Sequence, residues 1–199
     1  MRLSLTYCPA LPILLLALPL WLGGCAVRLD LPRQLSEPVP VFLLDHGRHS
    51  SLVLPAESGG LVRYSYGDWQ YYALGRTGLA SGFSALFGDT QAALGRRELP
   101  GARTAANVRS QVRIGIEQLI ELRAEASDVL RLREKLDDLY QAALPVRVYN
   151  AQMDLDFVPH PEPYTLSHNS NQMVAKWLEA LGCRVRGLPI LSNWRVAGD

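Results

Sequence analysis

The chain has 199 residues, 48% of them hydrophobic, with 20 Lys and Arg against 19 Asp and Glu. That length and apolar content suffice for one domain with a sizeable core and do not require a second. A formal net charge of +1 excludes the basic footprint of a nucleic-acid binder and points to no acidic partner.

Chain order begins with an export signal. Arg2 supplies a positive start, and Ala10 to Leu22 form an apolar run that ends at Gly23-Gly24-Cys25. Pro12 and Pro19 interrupt that run, which falls short of the roughly 20 apolar residues a spanning helix needs. Residues 1–24 are therefore expected to be removed. Leu22-Gly23-Gly24-Cys25 resembles the bacterial lipobox, which implies a diacylglyceryl thioether and fatty-acyl chains such as palmitate on Cys25. Several chains, at about 0.8 kcal/mol per buried CH2, make a stable anchor. Ala26 follows the cysteine; by resemblance to the sorting rule of enteric lipoproteins, this places the protein on the outer membrane, facing the periplasm. Loss of Arg2 leaves basic and acidic residues equal in number. With Cys8 removed and Cys25 acylated, Cys183 is the one thiol left, so no internal disulfide is expected. Just past Gly182, it reads as a packing residue.

Residues 25–38 read as a lipidated tether, polar and proline-bearing, and 39–199 as a single domain. Val39–Leu44 and Ser51–Leu54 are short apolar runs around Asp45-His46-Gly47-Arg48-His49-Ser50, which predicts a hairpin. Pro55 and Gly59-Gly60 close it. Leu61–Tyr66 and Tyr71–Leu74 suggest further strands, and Ser81–Leu94 a short helix. Val112, Ile114 and Ile116 alternate with polar or small residues, predicting a half-buried strand that runs into Glu117–Leu122. Val129, Leu132, Leu136, Leu139 and Tyr140 then recur at helical spacing, with Ser127 and Asp128 placed to cap the start and Pro145 to end it. Val146–Tyr149 reads as a strand, and Asp154–Pro163 as a proline-punctuated loop. The clearest helix carries Met173, Val174, Trp177, Leu178 and Leu181 on one face, begins within Ser167–Asn171 and stops at Gly182. Uneven blocks of strands and helices predict an α+β domain around a mainly antiparallel sheet.

Two polar clusters hold three of the four histidines: Asp45-His46-Gly47-Arg48-His49, and Ser167-His168-Asn169-Ser170-Asn171. Histidine exchanges protons near neutral pH, and a helix start offers unpaired backbone donors to developing negative charge. Asp45, His46, His49, Asp68 and His168 also include donor types that zinc accepts, but their spacing follows no metal motif. No metal or cofactor is expected. Tyr66, Trp69, Tyr71 and Tyr72 could line a groove, although aromatic strand residues more often pack a core.

His46-Gly47-Arg48-His49-Ser50-Ser51-Leu52-Val53-Leu54-Pro55, Tyr66-Gly67-Asp68 with Tyr71-Tyr72, and Asn169-Ser170-Asn171 before Ala175 resemble a family of bacterial lipoproteins. That family in turn resembles circularly permuted NlpC-like papain-fold hydrolases. The resemblance implies a permuted papain-like domain with His49 as general base, Asp68 orienting it, and Asn171 with backbone N–H groups as an oxyanion hole. Ser170 stands where the family has its nucleophilic cysteine. A thiol of pKa about 8.5 ionises readily beside a histidine; a hydroxyl needs concerted proton removal. Ser170 also suits a plain helix cap, and His49 a solvated turn. His46 reads as structural, His168 as a tuning or solvated residue, and His160 as part of a loop. The expectation is a non-catalytic or degenerate binding module of the cell envelope, tethered to the membrane. The alternative is an amide or ester hydrolase or acyltransferase acting on cell-wall peptide or lipid acyl groups.

Overall fold

The computed structural model describes residues 26–76 and 89–198, so residues 1–24, Cys25 and the 81–88 part of the expected short helix lie outside the described residues. The first described residues already belong to the fold. Val27–Asp30 form β1, with Val27 and Leu29 fully buried and Arg28 turned outward. The expected tether through residue 38 is corrected accordingly: the domain starts at Val27. Four residues are too few to display an alternation, and the partners of β1 lie at the far end of the chain. It pairs antiparallel with Arg184–Arg186 and parallel with Trp194–Val196, the last two strands.

The main sheet grows from the predicted hairpin. β2 (Pro38–Asp45) and β3 (Ser50–Pro55) pair antiparallel around residues 46–49, with Phe42 opposite Val53 and Asp45 opposite Ser50. β4 (Leu61–Asp68), β5 (Thr90–Leu99), β6 (Gln118–Glu125), β7 (Val148–Asn150) and β8 (Leu155–Tyr164) complete seven strands in the order β6-β2-β3-β4-β5-β8-β7. Every pairing in this sheet is antiparallel. With helices α1 (Ala105–Gln111), α2 (Ala126–Ala142) and α3 (Ser170–Ala180), the protein is an α+β fold. The closing strands β9 (Arg184–Arg186) and β10 (Trp194–Val196) flank β1 in a separate small sheet.

Both faces of the main sheet are covered, which is why β3 and β4 are buried at every position. On one face Val41, Leu43, Leu52, Val62 and Tyr64 pack with Val129, Leu132 and Leu136 of α2, with Val174, Trp177 and Leu178 of α3, and with Val27, Leu29 and Trp194 of the small sheet. On the other, Phe42, Leu44 and Val53 meet Val108 of α1 and Val112, while Ala93 and Phe157 meet Tyr72. Cys183 lies in the first of these clusters, its thiol pushed up to about 12 by burial.

Several expectations need correction. Tyr71–Leu74 is not a strand: Trp69–Ala73 form a π-helical turn whose first backbone donors are met by Asp68, which accepts from the Tyr71 amide. Thr90–Leu94, expected in a helix, opens β5; its partners on β4 and β8 override a weak helical pattern. Most of Asp154–Pro163, expected as a loop, is a strand: β8 covers Leu155–Tyr164, with Asp154 in the turn before it. Pro159, Pro161 and Pro163 fall at alternate positions and so remove donors along one edge only, and β7 covers β8 no further than Phe157. Val112, Ile114 and Ile116 alternate because they cover the second core cluster, in an irregular stretch between α1 and β6. α2 follows β6 without a break; its N-cap is Glu125, with no side-chain cap bond, and the Glu125 carboxylate accepts instead from the amides of Ser36 and Glu37. Gly182, at φ +81°, ends α3 as expected.

Leu29→Ala tests the corrected boundary. Removing a fully buried leucine side chain should lower unfolding free energy by about 2–5 kcal/mol in denaturant titration, whereas a free tether would show no change.

Candidate functional site

The hairpin turn is shaped to present two histidines. Asp45 accepts from the Gly47 amide at 2.7 Å and from the Ser192 hydroxyl, and the His46 amide donates to the His49 carbonyl at 3.0 Å. Gly47 sits at φ +87°, a left-handed conformation that favours glycine, with the mobile end of the Glu117 side chain lying over it. The His46 and His49 rings stack with centroids 4.8 Å apart.

Polar partners fix the His46 tautomer. Nδ1 lies 2.6 Å from the Gly115 carbonyl, which can only accept, so Nδ1 carries the proton. Nε2 then accepts from the Ser51 hydroxyl at 2.9 Å, and Ser51 Oγ in turn accepts from Arg63 Nε at 3.0 Å. The result is a directed chain of donors from Arg63 through Ser51 and His46 to Gly115. His49 has no such support: its Nε2 is buried without a hydrogen-bond partner. Its ring meets the edge of Tyr72 at 5.4 Å.

Arg63 dominates the electrostatics. It is 1% exposed at the centre of β4 and forms no ion pair with a carboxylate among the described residues. Its other donors face the Met153 carbonyl at 3.3 Å and His46 Nε2 at 3.4 Å. Burial, with the Arg97 charge adding, lowers Arg63 to about 9, so it stays charged at neutral pH. Burial first, and the Arg63 charge second, lower His46 to about 3 and His49 to about 4. Both imidazoles are neutral at pH 7. They form one wall of a cleft of about 330 Å³ whose other walls are Ile114, Gly115, Ile116, Glu117, Gln152 and Met153.

The second polar cluster sits at the start of α3. Asn169, not Ser170, is the N-cap, accepting from the Gln172 amide at 3.0 Å. Ser170 is 3% exposed and set between two phenols: its hydroxyl is in polar contact with Tyr72, and its hydroxyl and amide with Tyr164. Burial drives both phenols above the ordinary tyrosine range. Tyr72 reaches this position because Gly67 has no side chain; a β-carbon there would stand 2.1 Å from the Tyr72 ring.

Asn171 joins the two clusters. Its Nδ2 donates to the carbonyls of Arg48 at 3.2 Å and Ile190 at 3.1 Å, and its Oδ1 accepts from Ser50 Oγ at 3.0 Å. The fold therefore brings the His49 turn and the Ser170 helix start together. It does not place His49 Nε2 on the Ser170 hydroxyl; Tyr72 is the side chain that touches both. Nor does Asp68 orient His49, because its oxygens accept from the Tyr71 amide at 2.9 Å and the Thr90 hydroxyl at 2.5 Å. The Asn171 side-chain donors are committed to carbonyls and are not free for an oxyanion. His168 contacts Lys176, away from the cleft. His160 belongs to β8 rather than a loop and packs edge-on against Tyr66 at 5.0 Å. No group of three or more His, Cys, Asp or Glu among the described residues is arranged to hold a metal ion.

Sequence reasoning missed Arg63 and Ser51 as parts of the site, and named Tyr72 only among aromatics that line a groove or pack a core. One signal was present: Arg63 is the single charge in the run Leu61–Tyr66, apolar or aromatic but for Ser65, and a fully buried strand tolerates a charge only if its donors are satisfied. No family model matches the chain, and no curated protein or solved structure matches it either.

A histidine held neutral in the folded state binds fewer protons than it does unfolded, so acid favours the unfolded chain. Stability should be level above pH 6.5 and fall as pH drops from 6.5 toward the folded values of about 4 and about 3, by up to about 1.4 kcal/mol per pH unit per histidine. Denaturation curves across that range check this, and His49→Gln should reduce the slope. Gly67→Ala should displace Tyr72 and cost about 1–3 kcal/mol in the same assay.

Proposed function

We propose that this chain is a lipid-anchored binding module of the bacterial cell envelope, in which a permuted papain-like domain holds its ligand without cleaving it. One observation carries the reading: Ser170 is buried and interacts with Tyr72 and Tyr164, while His49 Nε2, the atom that would take its proton, makes no hydrogen bond. Nucleophilic attack by serine needs that bond, an oriented imidazole and a free oxyanion hole together. A histidine with a pKa near 4 is also a weak base at neutral pH. The order of the chain, histidine hairpin before serine helix, agrees with the permuted papain-like arrangement.

The cleft suits a short ligand segment with apolar and polar parts. Ile114, Ile116 and Met153 offer apolar contact, while His49, Gln152 and Glu117 offer polar contact. Cell-wall peptide and lipid acyl groups are the ligands within reach of a domain tethered at Cys25 to the outer membrane and facing the periplasm. The attachment proposed is the lipid on Cys25, which the lipobox-like Leu22-Gly23-Gly24-Cys25 supports; among the described residues no helix is long and apolar enough to cross a membrane.

A second reading, an amide or ester hydrolase or acyltransferase using Ser170 and His49, draws on the same bare His49 Nε2 beside the cleft. Catalytic hydrogen bonds often tighten only when substrate binds. A serine-reactive fluorophosphonate separates the two readings. Binding without turnover predicts that the wild-type protein labels no more than Ser170→Ala. Labelling that disappears in both Ser170→Ala and His49→Ala would replace the binding reading with the hydrolytic one.

A further inference from the structure

The small sheet presents an unusual outer face. Arg28 on β1 is paired in register with Arg195 on β10 and with Arg186 on β9, so three arginines stand side by side on one face. All three are exposed, as is Arg184 on β9. Asp30 pairs with Arg186 at 2.8 Å; Arg28 and Arg195 have no carboxylate partner among the described residues. Like charges placed directly across strands weaken a sheet. In a chain whose formal charge is only +1, this is a local concentration of positive charge.

Beside it lies an apolar edge. The loop from β9 to β10 exposes Leu188 at 65%, Ile190 at 47% and Leu191 at 56%. Register fixes where this loop sits: Val27 pairs with Trp194 and Arg28 with Arg186, so the loop crosses the N-terminal end of β1. The Val27 amide donates to the Asn193 carbonyl at 3.1 Å, and a β-carbon on Gly187 would stand 3.7 Å from the Ala26 carbonyl oxygen. Cys25, the proposed lipid site, is next in sequence to Ala26, which lies against this loop.

We propose that the Arg28–Arg186–Arg195 row and the Leu188–Leu191 loop form a docking surface for anionic phospholipid headgroups, with the leucines and Ile190 entering the interface. The arginines neutralise lipid phosphates, and the apolar tips bury area that solvent otherwise meets. The location of the bilayer at this edge rests on the proposed lipid at Cys25. The complementarity of the surface does not. Docking here sets the orientation of the domain, because Ser192 of the same loop bonds Asp45 and the His49 carbonyl in the histidine turn.

The test uses the mature protein purified from membranes. Intact mass first reads acylation at Cys25, so failure of the anchor is seen separately from failure of the surface. An environment-sensitive NBD dye is placed at Ile190→Cys in a Cys183→Ala background, and the protein is reconstituted in phosphatidylcholine vesicles with or without phosphatidylglycerol. With phosphatidylglycerol, NBD emission should shift to the blue and dithionite reduction should slow about fivefold or more, the factor expected from one arginine at an anionic surface. Arg28→Gln with Arg195→Gln should abolish the protection and lysine at both positions should keep it, with circular dichroism unchanged. If the protein carries no acyl group, adding the same vesicles to it still tests the surface by the same two variants. Equal reduction rates with and without phosphatidylglycerol overturn the proposal, as does protection by a soluble polyanion but not by vesicles.

Discussion

A guanidinium in the middle of a seven-stranded sheet, with no carboxylate opposite it, governs the chemistry of this protein. Removing a charge from water costs several kcal/mol even after relaxation. Here neutral acceptors offset that cost: Ser51 Oγ, the Met153 carbonyl and His46 Nε2. These acceptors come from the neighbouring strand, from the turn before β8 and from the hairpin turn, so satisfying Arg63 fixes the relative positions of three segments distant in sequence. A carboxylate partner would have cancelled the charge. Neutral partners leave it acting on the cleft, where it adds to burial in keeping His46 and His49 unprotonated.

That field bears on what the site can do. A general base works best with a pKa near the working pH, and the serine at the start of α3 is a harder nucleophile to ionise than a thiol. Both differences point the same way. Ser170 is buried and interacts with Tyr72 and Tyr164, and Asp68 is committed to the π-helical turn. The Asn171 amide holds the helix start against the hairpin, and Ser50 and Trp194 extend that contact into the small sheet.

The parts of the fold legible in the sequence are those whose signal is local. The β2–β3 hairpin shows in two apolar runs around a polar turn, and α2 and α3 in their helical spacing and terminal residues. β1 and β8 were not legible because their stability comes from partners far along the chain: β1 needs strands more than 150 positions away, and β8 tolerates alternate prolines only because one edge is largely unpaired. The π-helical turn at Trp69–Ala73 depends on a buried Asp68 cap and on the space above Gly67, neither of which leaves a periodicity. Within the site, Asn171 ties the start of α3 to the residues on either side of His49, and the sequence carries no more trace of that long-range contact than the polar character of the two segments. The lack of a direct bond between His49 and Ser170 was not readable, because it turns on Tyr72, whose position is set by a glycine on another strand.

The small sheet connects these levels. Its inner face completes the core with Val27, Leu29 and Trp194, and its outer face aligns Arg28, Arg186 and Arg195. An isolated sheet of three- and four-residue strands would gain little from such an outer face, since repulsion between the arginines opposes its pairing. Burial of Trp194, whose indole donates to Ser50 Oγ at 2.7 Å, counters that repulsion by tying the sheet to the hairpin. The same residues that anchor the small sheet therefore position the histidine turn. Relief of the arginine repulsion would steady the turn through Ser192 and Asp45, linking the arginine face to the walls of the cleft.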